Sequence, residues 1–316
     1  MNTMNDTMKY VILPDVTCDL NEEIRKEFGL TDYVPGHVHF DDGRDLPTTL
    51  DWDHISRKEF YKTLSNKRAK VSTAPANADE YIVAFEKYIR EGYAIISMAL
   101  SSAISSTYNQ TVIAAKRLKE EYPDAEIYCF DSMRMSGAFG LLVMYACLLQ
   151  KEGKSYQEVI AWLEENKHKV HQMGPIDDLI FVARRGRITM GKAIMGNFAG
   201  VKPMGDCNAE GYTTVLTKVK GIGKALDLTV QYAKETAVNV EDQFLLIAHS
   251  DREDYALALR DKVIAELNPK KVYVTDVYSG CGTNIGPGMV GIYYLGDTIS
   301  EDLAREKEII TKLQGK

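Results

Sequence analysis

The first 170 residues alternate between short apolar runs and longer amphipathic segments, and this alternation restricts the fold more than any other feature. "YVILP" from Tyr10, "YAIISMAL" from Tyr93 and "AEIYCFDS" from Ala125 have strand length and are rich in β-branched and aromatic residues. "NADEYIVAFEKYIREG" and "TYNQTVIAAKRLKEEYP" carry apolar residues at helical spacing, and Gly92 and Pro123 stop them. Two further helices are expected around this pattern. "DLNEEIRKEFG" has Asp19 as its N-cap, and "ISRKEFYKTLSNK" places Ser56 and Glu59 at capping-box spacing. "GAFGLLVMYACLLQKEG" is apolar on every face and reads as a buried helix. Parallel strands need a crossover long enough for a helix, so the order predicts βαβ units and a parallel sheet.

Beyond residue 170 the pattern becomes mixed: short β-like runs and Gly-rich turns, then helix "GKALDLTVQYAKETA", strand "DQFLLIAHS", helix "DYALALRDKVIAEL" and strand "KKVYVTDVYS". The fold class is therefore α/β with two α/β domains. Residues 1–168 form an N-terminal parallel-sheet domain and residues 169–316 a C-terminal mixed-sheet domain.

Between strand "YAIISMAL" and the following helix, Ser101, Ser102, Ser105, Ser106 and Thr107 crowd into seven residues. Ligands of parallel α/β sheets bind beyond the carboxyl ends of the strands. A helix N-terminus there offers free N–H groups and partial positive charge, and hydroxyls add donors. The loop thus reads as an anion or carboxylate pocket. Helix capping by Ser105 or Ser106 accounts for only part of the cluster.

Composition narrows the partners. Lys and Arg total 38 against 45 Asp and Glu, a formal charge of −7, which disfavours nucleic acid and anionic membrane surfaces. No apolar run approaches the roughly 18 residues of a membrane helix, so stable membrane insertion is not expected. Five cysteines, none in a C-x-x-C pair, and an N-terminus without signal-peptide character predict reduced thiols in the cytoplasm. Gly280, Gly282 and Gly286 do not have dinucleotide-binding spacing, and no P-loop or nucleophile elbow is present. His249 follows a strand and is the histidine placed as a general-base candidate. His37 and His39 alternate in "HVHF" and are candidates for a metal pair without an evident third ligand.

Taken in order, seven segments resemble the DegV family of bacterial lipid-binding proteins. "PDVTCDL" resembles its D-S-T-x-D-L, "STAP" at 72–75 its T-S-Q-P, and "SSAISSTYNQ" its S-S-x-L-S-G-T-Y-Q. "RRGRI" resembles G-G-R-I, "VKP" at 201–203 matches I/V-K-P, "KVKG" matches K-V-R-G, and "GTNIGPGMVGI" resembles G-T-H-x-G-P-G. The segments keep register from about residue 9 to 295.

The resemblance implies a long-chain fatty acid held between or within the two domains, with no other cofactor. It implies that hydroxyls of the T-S-Q-P and L-S-G-T motifs hold the carboxylate. The matching positions here are Ser72 and Ser105, with Thr73 and Ser106 beside them. Arg187 matches the arginine of G-G-R-I. Asn284 stands where the family has histidine, next to Thr283. Asparagine hydrogen-bonds but does not titrate. The resemblance further implies a non-catalytic carrier that presents the carboxylate to a separate ATP-dependent fatty acid kinase subunit. That kinase would make an acyl phosphate for phospholipid synthesis. Two rivals use the same loop: a small-molecule enzyme and a lipid sensor. "AIMGNFAGV", "GLLVMYACLL" and "LIFV" are candidates to line an acyl tunnel, with ordinary core packing as the alternative.

Overall fold

The strands pair as the alternation requires. In the computed structural model, which describes residues 8–66, 68–189 and 200–315, the first half contains β1 (Tyr10–Pro14), α1 (Glu22–Phe28), β2 (His37–Phe40), β3 (Asp45–Pro47), α2 (Arg57–Ser65), β4 (Val71–Ala74), α3 (Ala78–Arg90), β5 (Ala94–Ala99), α4 (Thr107–Glu121), β6 (Ile127–Asp131), α5 (Ser136–Lys151) and α6 (Tyr156–Asn166). The second half contains β7 (Val170–Met173), α7 (Leu179–Arg184), β8 (Ile188–Thr189), β9 (Val201–Cys207), β10 (Thr213–Lys220), α8 (Ile222–Thr236), β11 (Phe244–His249), α9 (Glu253–Leu267), β12 (Lys271–Asp276), α10 (Ser279–Ile285), β13 (Val290–Leu295) and α11 (Ala304–Leu313).

The N-terminal sheet is parallel, in the order β1-β5-β6, with Ile12 opposite Ile96 and Ile96 opposite Tyr128. Every residue of β5 is buried because the sheet is covered on both faces, by α3 and α4 on one side and α5 and α6 on the other. The C-terminal sheet is mixed, in the order β12-β11-β13-β7. β11 runs parallel to β12 and antiparallel to β13. Two smaller sheets complete the fold: antiparallel β3-β2-β4, and β8-β10-β9, in which β8 is parallel to β10 and β9 antiparallel to it.

Helix α5 is the element the two halves share. It packs against β1 on one side and against β7, β11 and β13 on the other. This position explains its apolar sequence, since Leu141, Leu142, Val143 and Met144 are all fully enclosed. The largest hydrophobic cluster runs from Ile12 and Ile96 through Phe139 to Leu246 and Tyr293, so it draws on both halves.

Local signals held in part. Ser56 caps α2 by accepting the Glu59 N–H at 3.2 Å, but the Glu59 carboxylate pairs with Arg44 and does not close the box. Asn21, not Asp19, caps α1. Asp19 instead adopts a left-handed backbone (φ 51°) and is wholly buried. The Gly-rich segment after β12, read as a turn, forms helix α10. Its glycines permit that packing, because a Cβ at Gly282 would lie 2.7 Å from the Tyr61 hydroxyl on α2.

Candidate functional site

Asp15 joins the two loops that shape the site. It ends β1, and its carboxylate accepts the Leu100 N–H at 2.8 Å beyond the end of β5 and the Thr17 N–H at 2.7 Å. Its own N–H donates to the Met98 carbonyl at 3.0 Å. The carboxyl ends of two adjacent parallel strands are thereby held together, and a cavity of about 380 Å³ opens beside them. That volume lies in the range of small-molecule sites. Leu100, Ile104, Met135, Met173, Ile285 and Met289 give it apolar walls. The exposed Ser106 and Arg187 stand where it opens to solvent.

The structure gathers most of the expected polar residues on this cavity. Thr73, Ser105, Ser106, Arg187 and Asn284 all line it. The Asn284 amide donates to the Thr73 hydroxyl at 3.2 Å, which ties α10 to β4. Ser105 caps the start of α4: its Oγ accepts the Thr107 N–H at 3.2 Å and lies 2.8 Å from Thr107 Oγ1. Ser106 makes no such capping bond. An Arg187 guanidinium N–H donates to the Arg185 carbonyl, holding the side chain over the turn.

Two expected residues do not reach the cavity. Ser72 is exposed and absent from the lining, because adjacent residues of β4 point to opposite faces and Thr73 takes the inward one. Thr283 is fully buried, and its hydroxyl donates back to the Ser279 carbonyl within α10 at 2.9 Å. The acyl-tunnel candidates also divide. "GLLVMYACLL" lies in α5 and is core, and none of it lines the cavity. Val182 of "LIFV" does line it. "AIMGNFAGV" falls almost wholly outside the described residues.

The lining includes polar groups outside the expected head-group set: Thr17, Thr48, Thr107, Gln172, Asp15 and His37. Thr107 sat within the hydroxyl cluster, and Asp15 and Thr17 within "PDVTCDL". Burial pushes the Asp15 carboxyl up to about 6, against the lowering effect of its Thr17 and Leu100 donors. Four residues on, burial raises Asp19 to about 8, with donors from Ser136 and Tyr278 opposing it. The cavity wall therefore rests on two carboxyls that hold protons unusually well.

The rival readings receive different geometry. His249 is buried at the end of β11, away from the cavity. Its Nε2 lies 3.4 Å from Asp276 Oδ1, and Nδ1 accepts the Arg252 N–H. Burial lowers its pKa, and neither ring partner is a nucleophile. His37 and His39 stack with ring centroids 6.2 Å apart, but each faces its own carboxylate, Glu80 and Asp45 respectively. Among the described residues no group of three or more His, Cys, Asp or Glu could hold a metal ion. No helix among them is long and apolar enough to cross a membrane.

Comparison with known proteins agrees with this architecture. A family model described as an uncharacterised protein of the DegV family matches residues 9–297. A DegV domain-containing protein of Clostridium perfringens is 33% identical over 290 residues, covering 92% of this chain and 98% of that protein. A solved structure described as fatty acid binding of a DegV family protein from Thermus thermophilus aligns with a TM-score of 0.81 at 24% identity, covering 92% of this chain and all of that one. The Streptococcus pneumoniae fatty acid kinase (Fak) B3 protein, solved loaded with linoleic acid, aligns with a TM-score of 0.78 at 18% identity, covering 92% of this chain and all of that one.

Proposed function

Because this chain belongs to the DegV family, we propose that it binds a long-chain fatty acid and presents the carboxylate to a separate ATP-dependent fatty acid kinase. The observation that carries this reading is the cavity itself: apolar walls, and uncharged hydroxyl and amide groups with one arginine on the same lining. Residues 1–168 supply the hydroxyl loop and residues 169–316 close the pocket with Gln172, Met173, Asn284 and Tyr293. Thr73, Ser105, Ser106, Asn284 and Arg187 hold the head group.

The energetics suit a carrier. Burying roughly 14 methylenes of an acyl chain of about 16 carbons releases ~11 kcal/mol gross. Ordering the chain removes several kcal/mol of this. The head group needs only enough donors to offset its own desolvation, and the hydroxyls, the Asn284 amide and Arg187 on the same lining provide them. The five free cysteines fit a reducing compartment, the cytoplasm, where ATP is available.

The protein acts here as a carrier and not as a catalyst. Oleate-loaded protein incubated with ATP tests this. Acyl phosphate is expected only when a fatty acid kinase is added. ATP consumption and acyl phosphate formation by this protein alone would contradict the reading.

A further inference from the structure

One polar pair on the cavity lining lies apart from the expected head-group set. Gln172 on β7 and Thr213 at the start of β10 both line the cavity. The Gln172 amide N–H donates to Thr213 Oγ1 at 2.8 Å, and the Thr213 hydroxyl donates toward Met135 Sδ at 3.6 Å. Gln172 pairs across the sheet with Tyr293, so the two side chains share a face, and Tyr293 and Met135 line the cavity as well. The main chain under the amide is fixed separately, because the Gln172 backbone N–H donates to the buried Asp206 at 2.8 Å. Thr73 and Asn284 stand on β4 and α10, and Ser105 on the loop before α4. Among the described residues no hydrogen bond joins them to Gln172 or Thr213.

The bond to Thr213 uses one end of the Gln172 amide. Its Oε1 has no hydrogen-bond partner among the described residues. An amide offers an acceptor oxygen at one end and two donor hydrogens at the other. Whichever end meets Thr213, the other is left for a ligand. A plain alkyl chain lying against it would displace its water and return no hydrogen bond, which disfavours binding. As a tie between β7 and β10 alone, the pair would be a poor choice for a purely apolar tunnel.

We propose that Gln172 and Thr213 form a second polar station in the cavity, and that the ligand it selects is a long-chain fatty acid with a hydroxyl on its chain. The proposal rests on the fatty acid reading above and narrows its ligand class. The chain hydroxyl donates to Gln172 Oε1 while the carboxylate occupies the head-group set. Thr213 holds the amide in place from the side, and Asp206 holds the strand beneath it. A site built to hydrogen-bond a hydroxyl rejects the analogue lacking it more strongly than an apolar pocket rejects a ligand by size. The station therefore separates hydroxylated from plain acyl chains of the same length.

Displacement of a fluorescent fatty acid by stearate, and by hydroxystearates with the hydroxyl at successive positions along the chain, reads the preference. Wild-type protein should bind at least one hydroxystearate about tenfold more tightly than stearate. Gln172→Leu should bring the ratio of the two affinities close to one. Thr213→Val, which keeps the amide but removes its anchor, should lower the ratio in the same direction. Wild-type protein that binds stearate at least as tightly as every hydroxystearate would overturn the proposal and leave the fatty acid reading standing. An undiminished ratio in folded Gln172→Leu would overturn it too. Wild-type protein that binds neither stearate nor any hydroxystearate would overturn the fatty acid reading and this assignment together.

Discussion

The Ser136 hydroxyl donates to Asp19 Oδ2 across 2.6 Å, at a point where neither residue meets solvent. This bond joins the start of α5 to the loop after β1, and the Tyr278 N–H meets the other carboxylate oxygen at 2.9 Å. One buried carboxyl thus connects three segments around the cavity.

Asp19 makes stability depend on pH. Burial raises its folded pKa to about 8, above the unfolded value of about 4, so the folded state holds the proton more tightly. The resulting stabilisation is complete below the unfolded pKa and is lost as pH rises through about 8. Urea midpoints of the wild type should therefore carry a downward contribution with pH across this window. Asp19→Asn should flatten it, leaving only the share from Asp15, whose pKa is raised to about 6. An identical pH slope in Asp19→Asn would refute the assignment.

Adjacent residues of β4 should behave differently. Thr73→Val removes the acceptor of the Asn284 amide and a cavity hydroxyl, and should weaken fatty acid binding by about 1 kcal/mol, roughly fivefold. Ser72→Ala should change affinity by less than twofold, because that side chain is exposed on the other face. Fluorescent fatty acid displacement reads both.

A buried network behind the cavity lining, joined to it where Asp206 Oδ1 accepts the Gln172 N–H at 2.8 Å, should affect stability while leaving the lining side chains in place. His171 Nδ1 lies 2.6 Å from Asp206 Oδ2, which also accepts the Tyr232 hydroxyl at 2.8 Å. Burial pulls the His171 pKa down, but Asp206 and the Asp297 carbonyl outweigh it, and the net shift is upward. Tyr232→Phe strips one donor from a buried carboxylate and should cost about 1–2 kcal/mol in urea denaturation. Its affinity for fatty acid should match the wild type.

Gly137 leaves room for a ring on the cavity wall. A Cβ there would fall 2.3 Å from the ring of Tyr293, which lines the cavity. Gly137→Ala should cost about 1–3 kcal/mol through overpacking. It should also weaken long acyl chains more than short ones, measured as Kd against chain length.

Sequence patterns revealed the parallel sheet and α5 because each is recorded in consecutive residues. β5 is an unbroken apolar run, and α5 is apolar all round since it packs between two sheets. β13 escaped because "VGIYYL" follows directly on a Gly-rich stretch, and α10 because its glycines mark close packing on α2 and not a turn. The choice between Ser72 and Thr73 depends on the phase of a four-residue strand, which "VSTA" does not declare. Asp19 precedes a helix and so resembles a cap in the sequence, but its partners Ser136 and Tyr278 are distant in the chain. The alternation of His37 and His39 suggests a metal pair, whereas the partner His37 finds, Glu80, lies 43 residues further on.

In the proposed function the cavity beside Asp15 holds a fatty acid by hydroxyls of β4 and the α4 loop. Mass spectrometry of an organic extract, quantified against protein, tests it most directly when wild type is compared with a Thr73→Val/Ser105→Ala double variant. Near-stoichiometric long-chain fatty acid in the wild type, sharply reduced in a folded double variant, is the predicted result. A wild-type protein that carries no lipid and takes up neither added oleate nor palmitate would contradict the claim.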